Sequence, residues 1–264
     1  MGVRFYQRSI LPTYSLWGRE ILRFSRQRSR LLGSVGQPAL FWILLGAGLG
    51  EIFKLPVSWQ EVSYLEYLFP GILVLIILFT AIFSTISLIE DRKSGFLQSI
   101  LVAPVSRSSI ALGKMFGGTT LAMLEAVLLL LAIPFLGLQM TWGSLITLLG
   151  VLILVAFALT GLGYAIAWLL DSTQGFHSVM NLFLIPMWLL SGAFFPAEGL
   201  PSWLSWVMVI NPLSYGMELV RAAMYPSAQA SLLAWGITVL FAALTLGMAV
   251  FLTHQPETGE WRMA

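Results

Sequence analysis

The 264 residues are 58% apolar and only 10% charged, with a mean hydropathy of +0.87. A soluble domain carries about 25% charged residues, so this chain lacks the polar surface to coat a water-soluble globule, and its hydrophobicity excludes disorder. With no cysteine, disulfide frameworks, thiolate metal sites, iron–sulfur clusters and thiol nucleophiles are excluded too. What remains is an all-α polytopic membrane protein.

Residues 1–30 contain seven arginines, Arg4, Arg8, Arg19, Arg23, Arg26, Arg28 and Arg30. They are spread out, with no short apolar stretch before a small-residue cleavage site, which argues against a signal peptide. Arg19, Arg23, Arg26 and Arg30 recur at helical spacing and share one face, opposite Tyr14, Trp17, Ile21 and Phe24. This pattern predicts an amphipathic helix lying in the membrane interface, with Trp17 and these four arginines as anchors on anionic lipid. Arg28 interrupts the apolar face, although its stem is long enough to snorkel.

Six runs then approach the roughly 20 apolar residues that a crossing helix needs. They are Leu31–Leu49, Tyr67–Ile89, Met115–Leu138, Leu145–Leu170, Val179–Phe195 and Leu232–Leu252, followed by a tail at 253–264. None alternates polar and apolar residues as a membrane strand would. Pro38, Pro134 and Pro186 fall inside runs and are read as kinks.

Two connections are too long and too patterned for simple turns. Glu90–Lys114 opens with four charges, Glu90, Asp91, Arg92 and Lys93. Phe96, Leu97, Ile100 and Leu101 then form an apolar stripe at helical spacing, ended by Pro104, and Ser106 or Ser108 is available to cap the next helix. The stripe has to be covered by lipid headgroups or by a groove on a partner. Pro196–Ser231 holds two short apolar pieces separated by Asn211–Pro212, each below spanning length, as expected of re-entrant or interfacial helices. Glu218 and Arg221 are three apart and predicted to pair.

Twelve of the fourteen Lys and Arg residues fall before the first run, in 90–114 or in the tail, leaving Lys54 and Arg221 for the other side. The positive-inside rule then puts both termini and the 90–114 connection in the cytoplasm. Glu125 is the only carboxylate well inside a predicted span, about 15 Å along its helix. There it must face protein or water, or be protonated, either contacting a polar or cationic substrate group or, as a neutral Glu, bonding within the bundle or at a subunit interface. No metal-ligand set or nucleophile elbow is present. Gly113–Lys114 resembles the end of a P-loop, but Ser108 and Met115 stand where its first Gly and its hydroxyl residue belong. The chain is therefore expected to be no enzyme, to bind neither metal nor ATP, and to have no nucleic-acid partner.

Three blocks resemble the membrane subunits of ABC-2 type exporters, closest to the drug-resistance and nodulation-factor branch. They are the arginine-rich stretch with Gln37–Pro38 and the glycines ending at Gly50, the loop Glu90–Lys114, and Ser191–Arg221 with its S-G-A-F-F-P and N-P-L-S-Y segments. The resemblance implies a coupling helix in 90–114, in which Glu90, Asp91, Arg92, Gly95, Phe96, Leu97, Ile100, Leu101 and Pro104 meet a separate ATPase. It also implies a connecting helix at the N-terminus and external re-entrant helices carrying Pro196, Pro201, Asn211, Pro212, Glu218 and Arg221. Six spans in 31–252 would make half a transporter of the bacterial inner membrane. A second copy or a paralogue would complete it, with two ATPases holding ATP and Mg²⁺. The cargo would be amphipathic or lipid-linked. Asp91–Lys93 and Gln98, where many members have Glu, depart from the family loop. The alternatives are an ion-coupled carrier using Glu125, for which 31–138 and 145–252 show no internal repeat, and a non-transporting assembly protein.

Overall fold

The computed structural model describes residues 6–26, 28–50, 59, 62–138, 140–196, 198, 200–226 and 228–255, with side chains from Arg8 onward except those of 28–32. The Arg30 side chain, the loop charges Glu51, Lys54 and Glu61, and tail residues 256–264 lie outside the described residues. Eleven α-helices follow in order: α1 Leu11–Ser25, α2 Arg28–Leu49, α3 Tyr64–Ser84, α4 Ile86–Lys93, α5 Phe96–Val102, α6 Arg107–Leu130, α7 Trp142–Leu169, α8 Thr173–Trp188, α9 Ser202–Ile210, α10 Pro212–Met224 and α11 Leu232–His254. No strand occurs among the described residues.

Among the described residues, five segments are long and apolar enough to cross a membrane: Tyr64–Lys93, Arg107–Leu130, Trp142–Leu169, Thr173–Ala193 and Leu232–His254. The first predicted span falls in α2, whose described apolar part, Gly33–Leu49, is shorter. Helix starts are set by local hydrogen bonding. Ser63 and Glu66 form a reciprocal capping box at α3, and Ser106, Thr141, Ser172 and Ser231 each accept a backbone N–H at the start of α6, α7, α8 and α11. Such caps satisfy donors that an apolar helix would otherwise leave open.

The third span differs from its expected bounds. It begins eight residues earlier, at Arg107, and ends at Leu130, while Pro134 sits in a separate 3₁₀ turn at Ile133–Leu136. Pro134 is thus a boundary and not a kink, because proline lacks an N–H and its ring clashes with the preceding turn. Pro38 and Pro186 do lie inside α2 and α8.

Helix α3 is the central element, packed by α2, α6 and α7, with Tyr67, Phe69, Ile72, Leu73 and Ile76 essentially without exposure. Helix α11 packs on α7 and α10. The outer surface is apolar: Leu40 and Leu44 of α2, Leu182 and Phe183 of α8, and Leu240 and Phe251 of α11 are all exposed. A bundle solvated by lipid has this character, since only its backbone groups must be satisfied internally.

Candidate functional site

At the arginine-rich end, α1 lies against α6. Two glycines make the seat. A Cβ at Gly113 would stand 2.7 Å from the Leu16 Cβ, and one at Gly117 would stand 2.7 Å from the Glu20 Cβ. Leu16, Glu20 and Phe24 are buried there, and the Trp17 indole donates to Thr120 at 3.0 Å. The basic face predicted to meet lipid instead turns toward the end of α4. Arg19 makes a two-pronged bond to Asp91, at 2.7 and 2.8 Å, and its guanidinium lies 3.7 Å over the Phe96 ring. Hydrogen bonding to Asp91 raises the Arg19 pKa above its usual value. Arg23 bonds Glu90 and also Asp91, while Arg26 is exposed. Lys114 donates to Glu20 at 2.6 Å, to Ser87 at 3.0 Å and to Asp91.

Six charges from α1, α4 and α6 therefore form one neutral lattice of Arg19, Glu20, Arg23, Glu90, Asp91 and Lys114. On the face expected to anchor on lipid, carboxylates of the chain itself are within reach: Asp91 holds the Arg19 fork bidentately, and Arg23 divides its bonds between Asp91 and Glu90.

The lattice supports α5. Gly95, at φ +76°, makes the left-handed turn between α4 and α5 that a side chain would resist. Leu97 is 1% exposed and packs in the chain's own core with Phe96, Ile100 and Leu101 beside it. The stripe expected to enter a partner's groove is thus largely covered from within. The outward side of this turn-and-helix segment carries Lys93, Ser94, Gly95, Ser99, Pro104 and Val102, the last 87% exposed. Arg92 points the other way, donating to the carbonyls of Trp168 (2.8 Å) and Leu170 (3.0 Å) at the end of α7. Arg107 does the same for Thr253, His254 and Gln255 at the end of α11. Cations at helix C-termini satisfy orphan carbonyls and complement the helix dipole.

Between α2, α3 and α8 lies a cavity of about 880 Å³. Its wall is mostly apolar and aromatic, with Phe41, Phe79, Phe83 and Trp188, and its polar members include Ser34, Gln37, Thr80 and His177. His177 packs against Phe83, the rings tilted by 38° with centroids 5.0 Å apart. Glu125 is fully buried behind this wall, accepting from the Ser34 hydroxyl at 2.5 Å and from the Thr80 hydroxyl. It ties α2, α3 and α6 together and stands one residue back from the cavity.

At the opposite end, α8 runs into a π turn at Leu189–Ala193 that breaks at Leu190 and at Gly192, whose φ is +81°. The freed carbonyls are caught by the two short helices that follow. Asn211 donates to Met187 (2.7 Å) and Leu190 (3.0 Å) while its side-chain oxygen caps α10, where Pro212 takes the first position. Arg221, buried, donates to Gly192 (2.7 Å), Ala193 and Tyr67 and lies 3.8 Å over the Tyr67 ring. The expected Glu218–Arg221 pair does not form among the described residues, because the unpaired carbonyls claim Arg221. Glu218 instead accepts from the Ser231 amide at 2.8 Å. Pro196 is half-buried beside this clamp and Pro201, exposed, precedes α9.

Residues 12–225 match the family model for the ABC-2 type transporter. The chain belongs to the ABC-2 type transporter family. It is 33% identical to transport permease ycf38 of Cyanophora paradoxa over 214 residues, covering 80% of this chain and 73% of that relative. It is 27% identical to Nodulation protein J of Rhizobium leguminosarum bv. viciae over 227 residues, 85% of this chain and 86% of that protein. The chain is thus the multi-pass membrane permease component of an ABC transporter.

In this permease, the predicted loop and N-terminal residues converge: Trp17, Arg19, Arg23, Glu90, Asp91 and Phe96 belong to one junction. Glu125 is remote from them. Glu20, Lys114, Ser34 and Thr80 were not anticipated as site residues. The Gly113–Gly117 spacing is a sequence signal for the seat of α1, and so for Glu20 but not for Ser34 or Thr80, and among 24 glycines such a spacing arises readily by chance.

Proposed function

We propose that this permease is half of an ATP-driven exporter, with α2 as the first of six spans and both termini in the cytoplasm. The carrying observation is the arginine-rich junction. Helix α5 offers Val102, Ser99 and Pro104 outward while the six-charge lattice holds its base. A separate ATPase subunit docks on that outward side, and ATP with Mg²⁺ resides in the ATPase. Closure of two ATPases would displace α5, and through Asp91 and Lys114 the ends of α4 and α6 would follow. Differential stabilisation of one arrangement by the nucleotide-bound ATPase is what makes such a change possible.

The cavity between α2, α3 and α8 serves as the substrate path. Its volume lies in the range of small-molecule sites, about 300–1,000 Å³, and its aromatic wall with a few polar groups suits an amphipathic or lipid-linked cargo. Exposed Phe41, Leu44, Leu182 and Phe183 lie on the two helices that flank it, and a second copy or a paralogue would close it. Helices α9 and α10 act as the external re-entrant pair, bracing the broken end of α8.

Co-reconstitution with an ABC ATPase subunit in proteoliposomes tests the reading. ATP should drive movement of a fluorescent amphiphile across the bilayer, and Val102→Asp should abolish it while the permease remains folded. Equal movement without ATP or without the ATPase would sink the proposal.

A further inference from the structure

Ser34 and Thr80 both face the cavity, and both hydroxyl hydrogens are directed away from it, onto the two oxygens of Glu125. A hydroxyl has a single hydrogen to donate and otherwise only accepts. With that hydrogen committed, each oxygen has acceptor capacity alone to offer. In its ionised form the carboxylate enforces this polarity, because it can then only accept. Glu125 is fully buried, and these donors offset part of its loss of water. The two hydroxyls come from different helices, α2 and α3, so one buried side chain sets the hydrogen-bonding sense of both walls.

From this geometry we propose that Glu125 is a positioning residue for substrate selection. Acting through Ser34 and Thr80, it makes this part of the cavity read a hydrogen-bond donor, such as a hydroxyl, amide N–H or ammonium, on an otherwise apolar cargo. The inference rests on the reading of this cavity as the substrate path. Apolar contact with Phe41, Phe79 and Phe83 supplies binding for the chain of the amphiphile, and the two oxygens supply the discrimination. A cargo whose polar group only accepts would face oxygen lone pairs without a proton between them, and would lose the water that satisfied it outside.

The test uses the full permease with its ATPase in nanodiscs and two probes, a fluorescent-tailed fatty alcohol and the isomeric methyl ether whose tail is one methylene shorter. They share shape and apolar area and differ in one donor. Wild type should bind the alcohol about three- to tenfold more tightly, the worth of one hydrogen bond in this setting. Thr80→Ser keeps the hydroxyl and should keep the preference, whereas Thr80→Val should reduce it. Glu125→Gln introduces an amide that donates to one of the hydroxyls, turns that hydroxyl's hydrogen elsewhere and should narrow the preference. Glu125→Asp, if it reaches both hydroxyls, should restore it.

A merely structural role for Glu125 would weaken both probes alike, and that outcome overturns the proposal. Equal binding of the two probes by wild type, or no binding of either, overturns it as well. ATPase association is scored on the same preparation. Its loss would count against the permease reading, while a missing preference in an intact complex would count only against this inference.

Discussion

Lys114 shows how one side chain can organise a junction. Its ammonium is 3% exposed and reaches Glu20, Asp91 and Ser87, all of them buried. Removing one member of a buried charged set leaves its partners desolvated and unpaired, at a cost of about 3–5 kcal/mol. Lys114→Met should therefore lower the thermal midpoint of the purified permease sharply, as read by fluorescence-detected size exclusion. Arg23→Ala should cost less than about 1 kcal/mol, because Arg23 and Glu90 are 31% and 46% exposed. Similar losses from the two variants would mean that the lattice is not centred on Lys114. Gly192 gives a cleaner backbone test. At φ +81°, with the nearest atom to an added Cβ at 3.6 Å, Gly192→Ala should cost about 1–2 kcal/mol through conformation alone. No loss would show that the π turn tolerates another geometry.

At the scale of elements, α1 is where sequence and structure diverge most instructively. Its helical character and its basic face were legible from the spacing of Arg19, Arg23 and Arg26. The destination of that face was not, since a periodic pattern shows which residues share a side but not what lies opposite. Asp91 is some seventy positions away in the chain, and only the fold brings it under Arg19. The third span slipped by eight residues for a related reason: Lys114 reads as a loop charge until Glu20 and Asp91 are seen to neutralise it inside α6. Helix α5 and the short pair α9 and α10 were legible because Gly95, Pro104, Asn211 and Pro212 punctuate them locally. The seat of α1 can be tested directly. Gly117→Leu places a branched side chain where Glu20 stands; the Thr13 hydroxyl reaches the Ser109 carbonyl at 3.4 Å, so a Thr13→Cys/Ser109→Cys pair should cross-link in the parent and much less in the variant. With no native cysteine, the background is clean. Undiminished cross-linking would show that α1 is held without the glycine seat.

Over the whole molecule, the membrane class followed from composition, whereas the central place of α3 comes only from the packing of α2, α6 and α7 around it. The cavity did not follow, because lipid-facing and cavity-facing residues of α2 and α8 carry the same apolar chemistry. What unifies the molecule is its division of labour along its length. Charged groups at the arginine-rich end fasten α1, α4, α5 and α6 together, the cavity occupies the bundle beside α3, and Arg221 and Asn211 clamp the broken end of α8 at the far side. Arg92 and Arg107 extend the fastening to the ends of α7 and α11, so a displacement at α5 would be shared by four of the five long apolar segments. Weakening that link by Arg107→Ala should uncouple ATP hydrolysis from transport more than it lowers hydrolysis itself, measured as cargo moved per ATP. A proportional fall in both would argue against transmission through this end.

The most direct test of the account is site-specific cross-linking in native membranes. Val102→Cys, the sole thiol in the chain and on its outward side, should cross-link to an ABC ATPase subunit, and Trp203→Cys at the far end should not. Capture of the ATPase from position 203 but not from 102, or from neither, would contradict the claim that α5 is where an ATPase drives this permease.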